Sequence, residues 1–447
     1  MAVDWLTKVK IGLGALIAVG IGVYLIPPPP PEQHRPGRIP VIFWHAFSGE
    51  WFSIYDGMIQ RFNASQDKYE VIGVVVPGDE LTTKFLLSAS GGATPDIILS
   101  WDQVLGIWSD KGLIQPFDNI MSPAEKQEFL SRTYPIVKRN SMYRGKIMAL
   151  CDGLDMFAVY YRLDDLKEIG MTPEKLPTTL EGLVELGKQL DKRDKDGQLR
   201  RIGFLPKNII NLAPAFGGKF NEDGHIVIDT PENLAAMKFL SQVNGEYGFN
   251  AVDRFSQSLA ADAGPNMPLI AGNYSIMLDG EWRVMQVDRY KPDLPYFLAP
   301  LPPPKGGKAN ASMTAPNYLM IPTAAKEPQG AWEFAKFCVG FLHPEDGGRN
   351  MGDMGWLPDD PYIAKSKSYL AYLHKYPKYK VFVDLLSSPN LEIWPQGPLQ
   401  QFTGDQLTKA EDFVDRGTKT PEAALRDAEQ ALMDERKRLA DLGEPVQ

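Results

Sequence analysis

Three places in the chain set an aromatic ring beside a polar group at the end of an apolar run: Trp44-His45, Trp101-Asp102 and Glu281-Trp282. An indole face can stack on a polyhydroxylated ring while a neighbouring carboxylate accepts its hydroxyl protons. In the third case Tyr274 to Leu278 is short, largely apolar and bounded by turn residues, so it reads as a buried strand. Asp279-Gly280 then turns the chain, and a helix is expected from Glu281 to Arg289. Trp282 thus falls just past the carboxyl end of a strand, where open α/β sheets bind their ligands. Plainer readings stand beside these. Trp282 could simply pack the helix start, and Trp44, closing an apolar strand, suits the core better. Asp96 after Pro95 reads as a structural acid. Trp332 shares an amphipathic helix with Phe334 and Phe337 and reads as core.

Other chemistry is missing from the sequence. Five histidines (His34, His45, His225, His343, His374) show no metal-ligand spacing, and there is no Walker loop, G-x-S-x-G elbow or G-x-G-x-x-G. No metal and no cofactor is implied. Asp152, Asp155 and Glu281 could supply a glycosidase acid/base pair, but acids line non-catalytic sugar sites equally well, so a binding protein is expected rather than an enzyme. Cys151 and Cys338 lack zinc-site spacing and read as buried thiols.

The elements that must position these residues follow an α/β rhythm. Val41 to Trp44, Val71 to Val76 and Pro95 to Ser100 are strands, and His45 to Glu50 is a loop. Trp51 to Phe62, with Phe52, Tyr55, Ile59 and Phe62 at helical spacing, and Leu81 to Ser90 are helices. Met156 to Tyr161 is a fourth strand and Thr179 to Leu190 an amphipathic helix. Asp191 to Arg201 is a solvated turn. Helices are expected at Pro231 to Asn244 (with Thr230 as N-cap), Pro328 to Phe341 and Pro421 to Leu442.

At 447 residues the chain suits two ordinary domains, and a net charge of −9 argues against binding the phosphate backbone of nucleic acids. The N-terminus carries the charge-free run Ile11 to Ile26 between Lys8, Lys10 and Pro27 to Pro31. At ~1.5 Å per residue it would span about 24 Å, short of a ~30 Å hydrocarbon core. Trp5 and Tyr24 near its ends, and the lack of a small-residue cleavage site, favour an uncleaved membrane anchor over a cleaved signal. The prolines would act as an extended spacer.

Several segments, in order, resemble a known family: Phe43-Trp44-His45-Ala46-Phe47-Ser48-Gly49, Ala93-Thr94-Pro95-Asp96-Ile97, Tyr143 to Leu150, Ala158 to Arg162, Leu176 to Leu183, Ala271 to Trp282, Pro328 to Phe334 and Gly355-Trp356-Leu357-Pro358. The chain is similar to the extracellular solute-binding proteins of ABC importers, in the carbohydrate-binding branch with the relatives of maltose-binding protein. It departs from that pattern at Arg162 (usually Asn), Leu180 (usually Trp) and Glu281 (usually Pro). The resemblance implies an α/β, two-lobed periplasmic-binding-protein fold with an interlobe cleft and three crossovers, near Leu154–Phe157, Phe297–Pro300 and His343–Gly348. The implied division is an anchor or signal over 1–26, a Pro-rich linker over 27–38, an N-terminal lobe of 39–155 with 298–345, and a C-terminal lobe of 156–297 with 346–447. It assigns Trp282 to sugar stacking, Asp155 to sugar hydroxyls and Trp101-Asp102 to an aromatic–acid site. It also places His45, Ser48 and Glu50 in a ligand loop, and Glu281 and Trp356 at the site's border. The partners implied are a saccharide and ABC permease subunits, the body is expected to be monomeric, and the location extracytoplasmic. A ligand-presenting sensor subunit and a glycan-cleaving enzyme are the alternatives.

Overall fold

The computed structural model describes residues 35–222, 225–260, 262 and 264–443. The expected anchor Ile11–Ile26 lies outside them. Among the described residues no helix is long and apolar enough to cross a membrane. The chain divides into two compact units, one running up to Ser100 with Ile321–Phe334, the other Trp101–Met320 with Ala335 onward.

In the first unit Ile39–His45 pairs in parallel with Tyr69–Val75 from end to end and with Ile97 and Ile98 through Phe43 and Trp44. The helices Glu50–Ser65 and Gly78–Ser90 make the connections that parallel pairing needs. Both begin earlier than expected: Glu50 is helical rather than loop, and Gly78 to Glu80 already belong to the second helix. Phe334 meets Phe43 and Phe62 edge-on, each at 5.2 Å, which closes the core. Trp44 and Trp332 are buried. Asp96 is the structural acid its neighbours suggested: one carboxylate oxygen accepts the Ile42 amide at 2.8 Å and the other the Lys326 and Glu327 amides.

The second unit is organised around one long strand, Leu150–Arg162, almost continuously buried. Such a run needs cover on both faces. Ile276–Gly280 and Tyr296–Ala299 lie antiparallel along its second half, and Ser312–Pro322 along its first. Pro316 has no N–H to give the ladder, and the register shifts between it and Tyr318. Asp279 and Gly280, expected as a turn, are the last two residues of their strand, opposite Ala158 and Phe157. The following helix is Arg283–Tyr290. Leu154–Phe157, expected as a crossover, lies inside the long strand, Phe297–Pro300 overlaps Tyr296–Ala299, and His343–Gly348 opens the helix Pro344–Met354.

Capping fixes the helices as their sequences suggest. The Thr179 side chain accepts from Gly182 before Leu180–Leu190, and Thr230 from Asn233 before Pro231–Tyr247. The charged run after Leu190 is a hairpin, Lys192–Arg193 against Leu199–Arg201, rather than a turn. Its last residue is buried: Arg201 bonds Asp165 at 2.8 Å, which also meets Arg162 at 3.2 Å and the Ser275 hydroxyl at 2.8 Å. Cys151 and Cys338 are buried and not joined in a disulfide.

Candidate functional site

Where Ile276–Gly280 ends, the next residue takes over its role with a side chain. Glu281 is fully buried, and its Oε2 accepts the Met156 amide at 2.9 Å, one residue beyond the last backbone pair of Gly280 with Phe157. The long strand thereby presents Asp155 beside Glu281, close enough for each carboxyl to act on the other. Burial pushes the Glu281 carboxyl well up, helped by the Asp155 charge. Burial raises Asp155 to about 7, and the charge of Asp102 adds to the rise while the bond from Glu281 opposes it.

Asp102 follows the strand Ile97–Trp101 and opens a single 3-10 turn, where the amides of Asp102 and Gln103 reach its carboxylate. Burial raises it to about 6 against those bonds. Gln400, at the start of the helix Gln400–Asp415, donates from Nε2 to its Oδ2 at 3.1 Å. Gln400 lies 298 positions away and no sequence signal marked it. The structure thus brings Asp102, Asp155 and Glu281 into one carboxyl cluster. None of the three forms an ion pair with a lysine, arginine or histidine among the described residues.

Each end of the cluster has an indole next to it in sequence. Trp101 is 39% exposed. Trp282 is half-buried, set edge-on to Phe157 at 6.0 Å, with its ring folded back over Gly280. A Cβ on Gly280 would sit 1.9 Å from that ring, so only glycine admits this pose. The Tyr160 hydroxyl donates to the Gly280 carbonyl at 2.7 Å and fixes the strand end beneath it.

Trp356, distant in sequence, packs against the strand that carries Asp155. It is 3% exposed, and its ring packs over Gly153, whose φ of +124° lies where side chains are strained. Trp356 lies in the loop that follows the helix Pro344–Met354, as expected, with its indole buried rather than open. In the first unit His45 ends its strand rather than opening a loop and is 1% exposed, stacked on Tyr55 at 5.2 Å and beside Phe43 at 5.1 Å. Burial lowers it to about 4, against the Phe47 backbone, so it is a neutral ring at physiological pH. Ser48 is exposed before Gly49, whose φ is +59°, and Glu50 begins the helix Glu50–Ser65.

A fold with aromatic–acid pairs at strand ends is that of a ligand-capturing protein, and the comparisons agree. The sequence pattern of the bacterial extracellular solute-binding proteins matches residues 48–340, and the chain belongs to that family. A maltotriose-binding protein of Pyrococcus abyssi is 24% identical over 336 residues, covering 73% of this chain and 68% of that protein. The sn-glycerol-3-phosphate-binding periplasmic protein of Escherichia coli is 22% identical over 48% of this chain, which spans only 52% of that protein. Among solved structures, a protein titled CpMnBP1 with mannotriose bound superposes with a TM-score of 0.76 at 22% identity, over 88% of this chain and 99% of that one. A cyclic α-maltosyl-1,6-maltose-binding protein from Arthrobacter globiformis gives 0.72 at 20%, over 88% and 98%. At these identities the structural likeness speaks for the fold alone.

Proposed function

We propose that this chain captures a saccharide outside the cytoplasm and delivers it to the membrane subunits of an ABC importer. The observation that carries the reading is the pairing of two accessible indoles, Trp101 and Trp282, with members of one buried carboxyl cluster. Indole faces gain from stacking on sugar rings, and carboxylates accept sugar hydroxyls in charge-assisted bonds. The printed names of the relatives, several of them sugar binders, point the same way.

The same cluster weighs against a sugar phosphate, because uncompensated acids repel a phosphate dianion. It also weighs against glycoside hydrolysis by Asp155 and Glu281. Carboxyls in hydrogen-bond contact lack the ~5–9 Å separation that acid/base or nucleophilic attack on a glycosidic bond requires. The run Ile11–Ile26, with its proline spacer, supports tethering of the body to the cytoplasmic membrane.

The test is a thermal-shift screen of the full chain against neutral mono- and oligosaccharides and sugar phosphates, followed by calorimetry on each hit. A saccharide bound only by the folded state raises the unfolding temperature. Stabilisation by sugar phosphates alone, or release of product from an oligosaccharide, would overturn the reading.

A further inference from the structure

We infer that Trp394 is a second stacking platform, holding one ring of a saccharide whose other end lies against Trp282. The inference rests on the sugar-capture reading above and deepens it, because a ligand that meets both indoles has at least two rings.

The register of the sheet brings the two tryptophans to one face. Met156 and Phe157 turn their amides to opposite edges of the long strand, the first to Glu281 at 2.9 Å and the second to the Ser312 hydroxyl at 3.0 Å. The strand Ile276–Gly280 therefore ends on one edge, and Ser312–Pro322 begins on the other. Beyond Ser312–Pro322 lies the short strand Leu391–Ile393, parallel to it, with Ile393 opposite Thr314. Thr314 in turn faces Met156, and Ala315 faces Asp155. One step past Ile393, Trp394 falls level with Ala315. Side chains alternate along a strand, so Trp394, Ala315, Asp155 and Phe157 share a face. The Trp282 ring belongs to it too, since it lies over Gly280, the partner of Phe157, and meets Phe157 edge-on.

Packing places Trp394 on that face independently. It rests against the same core as Val159, Leu278 and Met313, and stands edge-on to Phe220 at 5.4 Å. Val159 and Met313 are buried, whereas Trp282, Phe157, Asp155, Ala315 and Trp394 are only partly so. The core thus runs out along this row. Ala315 is the one residue of its strand that is not fully buried, and its small side chain leaves room between the indoles. Neighbouring strands lie ~4.8 Å apart, so three spacings set the strands of Trp282 and Trp394 about 14 Å apart. That strip is wider than one pyranose ring, and Asp155 in its middle can accept hydroxyl protons. A tryptophan that only packs hides its ring and pairs its N–H. Trp394 keeps part of its surface open, and its indole N–H has no hydrogen-bond partner among the described residues.

The test is calorimetry on the full chain with the α-1,4 glucose, β-1,4 glucose and β-1,4 mannose series, each as monomer, dimer and trimer. In at least one series the dimer or trimer should bind about tenfold or more tighter than the monomer. Trp394→Leu keeps an apolar contact for Phe220 but removes the aromatic face, and should bring the longer sugars to within about twofold of the monomer. Ala315→Leu fills the strip from a partly exposed position and should abolish the same advantage; it decides the matter if circular dichroism shows Trp394→Leu to be unfolded. No advantage of longer sugars in any series, or an advantage that survives the deciding variant, would overturn the inference and leave sugar capture standing. No saccharide of any kind binding would overturn both.

Discussion

Glu281 Oε2 and the Met156 amide, 2.9 Å apart, continue with a side chain the ladder that Gly280 and Phe157 end with backbone. The acid is therefore held in place by the sheet and cannot swing toward a ligand without orphaning a buried N–H. Asp155, two positions before Phe157 on the long strand, is only half-buried. Glu281→Gln retains an acceptor for Met156 and should change stability little. Glu281→Leu removes it and should cost about 1–3 kcal/mol, the penalty of an unpaired buried amide. Urea unfolding of both variants decides the matter, and equal losses would show that the bond contributes nothing.

Asp102 makes stability depend on pH in a stated direction. Its folded carboxyl titrates at about 6, above the ordinary 3.8, so the folded state holds the proton more tightly than the unfolded chain. The associated stability is present in full below pH 4 and is lost as pH rises toward 6. Asp155 extends the decline to about 7. His45, lowered to about 4, acts oppositely, because the unfolded chain takes up its proton first and stability grows between pH 4 and 6.5. The wild-type profile mixes these contributions. Relative to it, Asp102→Asn should flatten the decline between pH 4 and 6, and a profile parallel to wild type in chemical unfolding would contradict the assignment.

The sequence makes the α/β character, the helix starts at Pro231, Pro328 and Pro421 and the structural roles of Trp44, Asp96 and Trp332 legible because they are local: alternation, caps and apolar spacing suffice. Trp101, Asp102 and Trp282 could be singled out since strand ends combine rare residue types, and Asp155, inside its strand, through the family resemblance. Gln400 could not, because contact across 298 positions leaves no local trace. The loop role expected of His45 failed for a related reason. Its polarity suggested an edge, yet Tyr55 and Phe43 offer the ring a stacked place inside. Arg162, which departs from the usual asparagine, likewise explains itself only in three dimensions. It reaches the carbonyls of Leu269 and Ile270 and the Asp165 carboxylate.

Arg201 offers a test of that buried network. Asp165 sits between Arg162 and Arg201 with the Ser275 hydroxyl. Arg201→Ala removes the 2.8 Å partner and leaves a buried carboxylate half-compensated. Losses of about 3–5 kcal/mol are typical when one member of a buried pair is deleted. Arg201→Lys should recover only part, since a lysine cannot also bond the Leu190 carbonyl and Glu168 as the guanidinium does. Differential scanning calorimetry of the two variants gives the comparison, and full recovery by lysine would contradict it.

Trp282 gives the most direct prediction for the site. Its ring lies over Gly280, so the pose can be broken in two ways. Trp282→Ala removes the stacking face, and Gly280→Ala keeps the indole but drives a methyl into it. If the ring binds sugar where it now lies, both should weaken binding of any saccharide found in the screen by about tenfold or more, the equivalent of ~1.4 kcal/mol. Gly280→Ala should also shift the tryptophan fluorescence of the free protein, whereas Trp101→Ala should leave the Trp282 pose intact. If Gly280→Ala binds as tightly as wild type while Trp282→Ala does not, the indole matters but its present pose does not. If neither weakens binding, the stacking role of Trp282 is excluded.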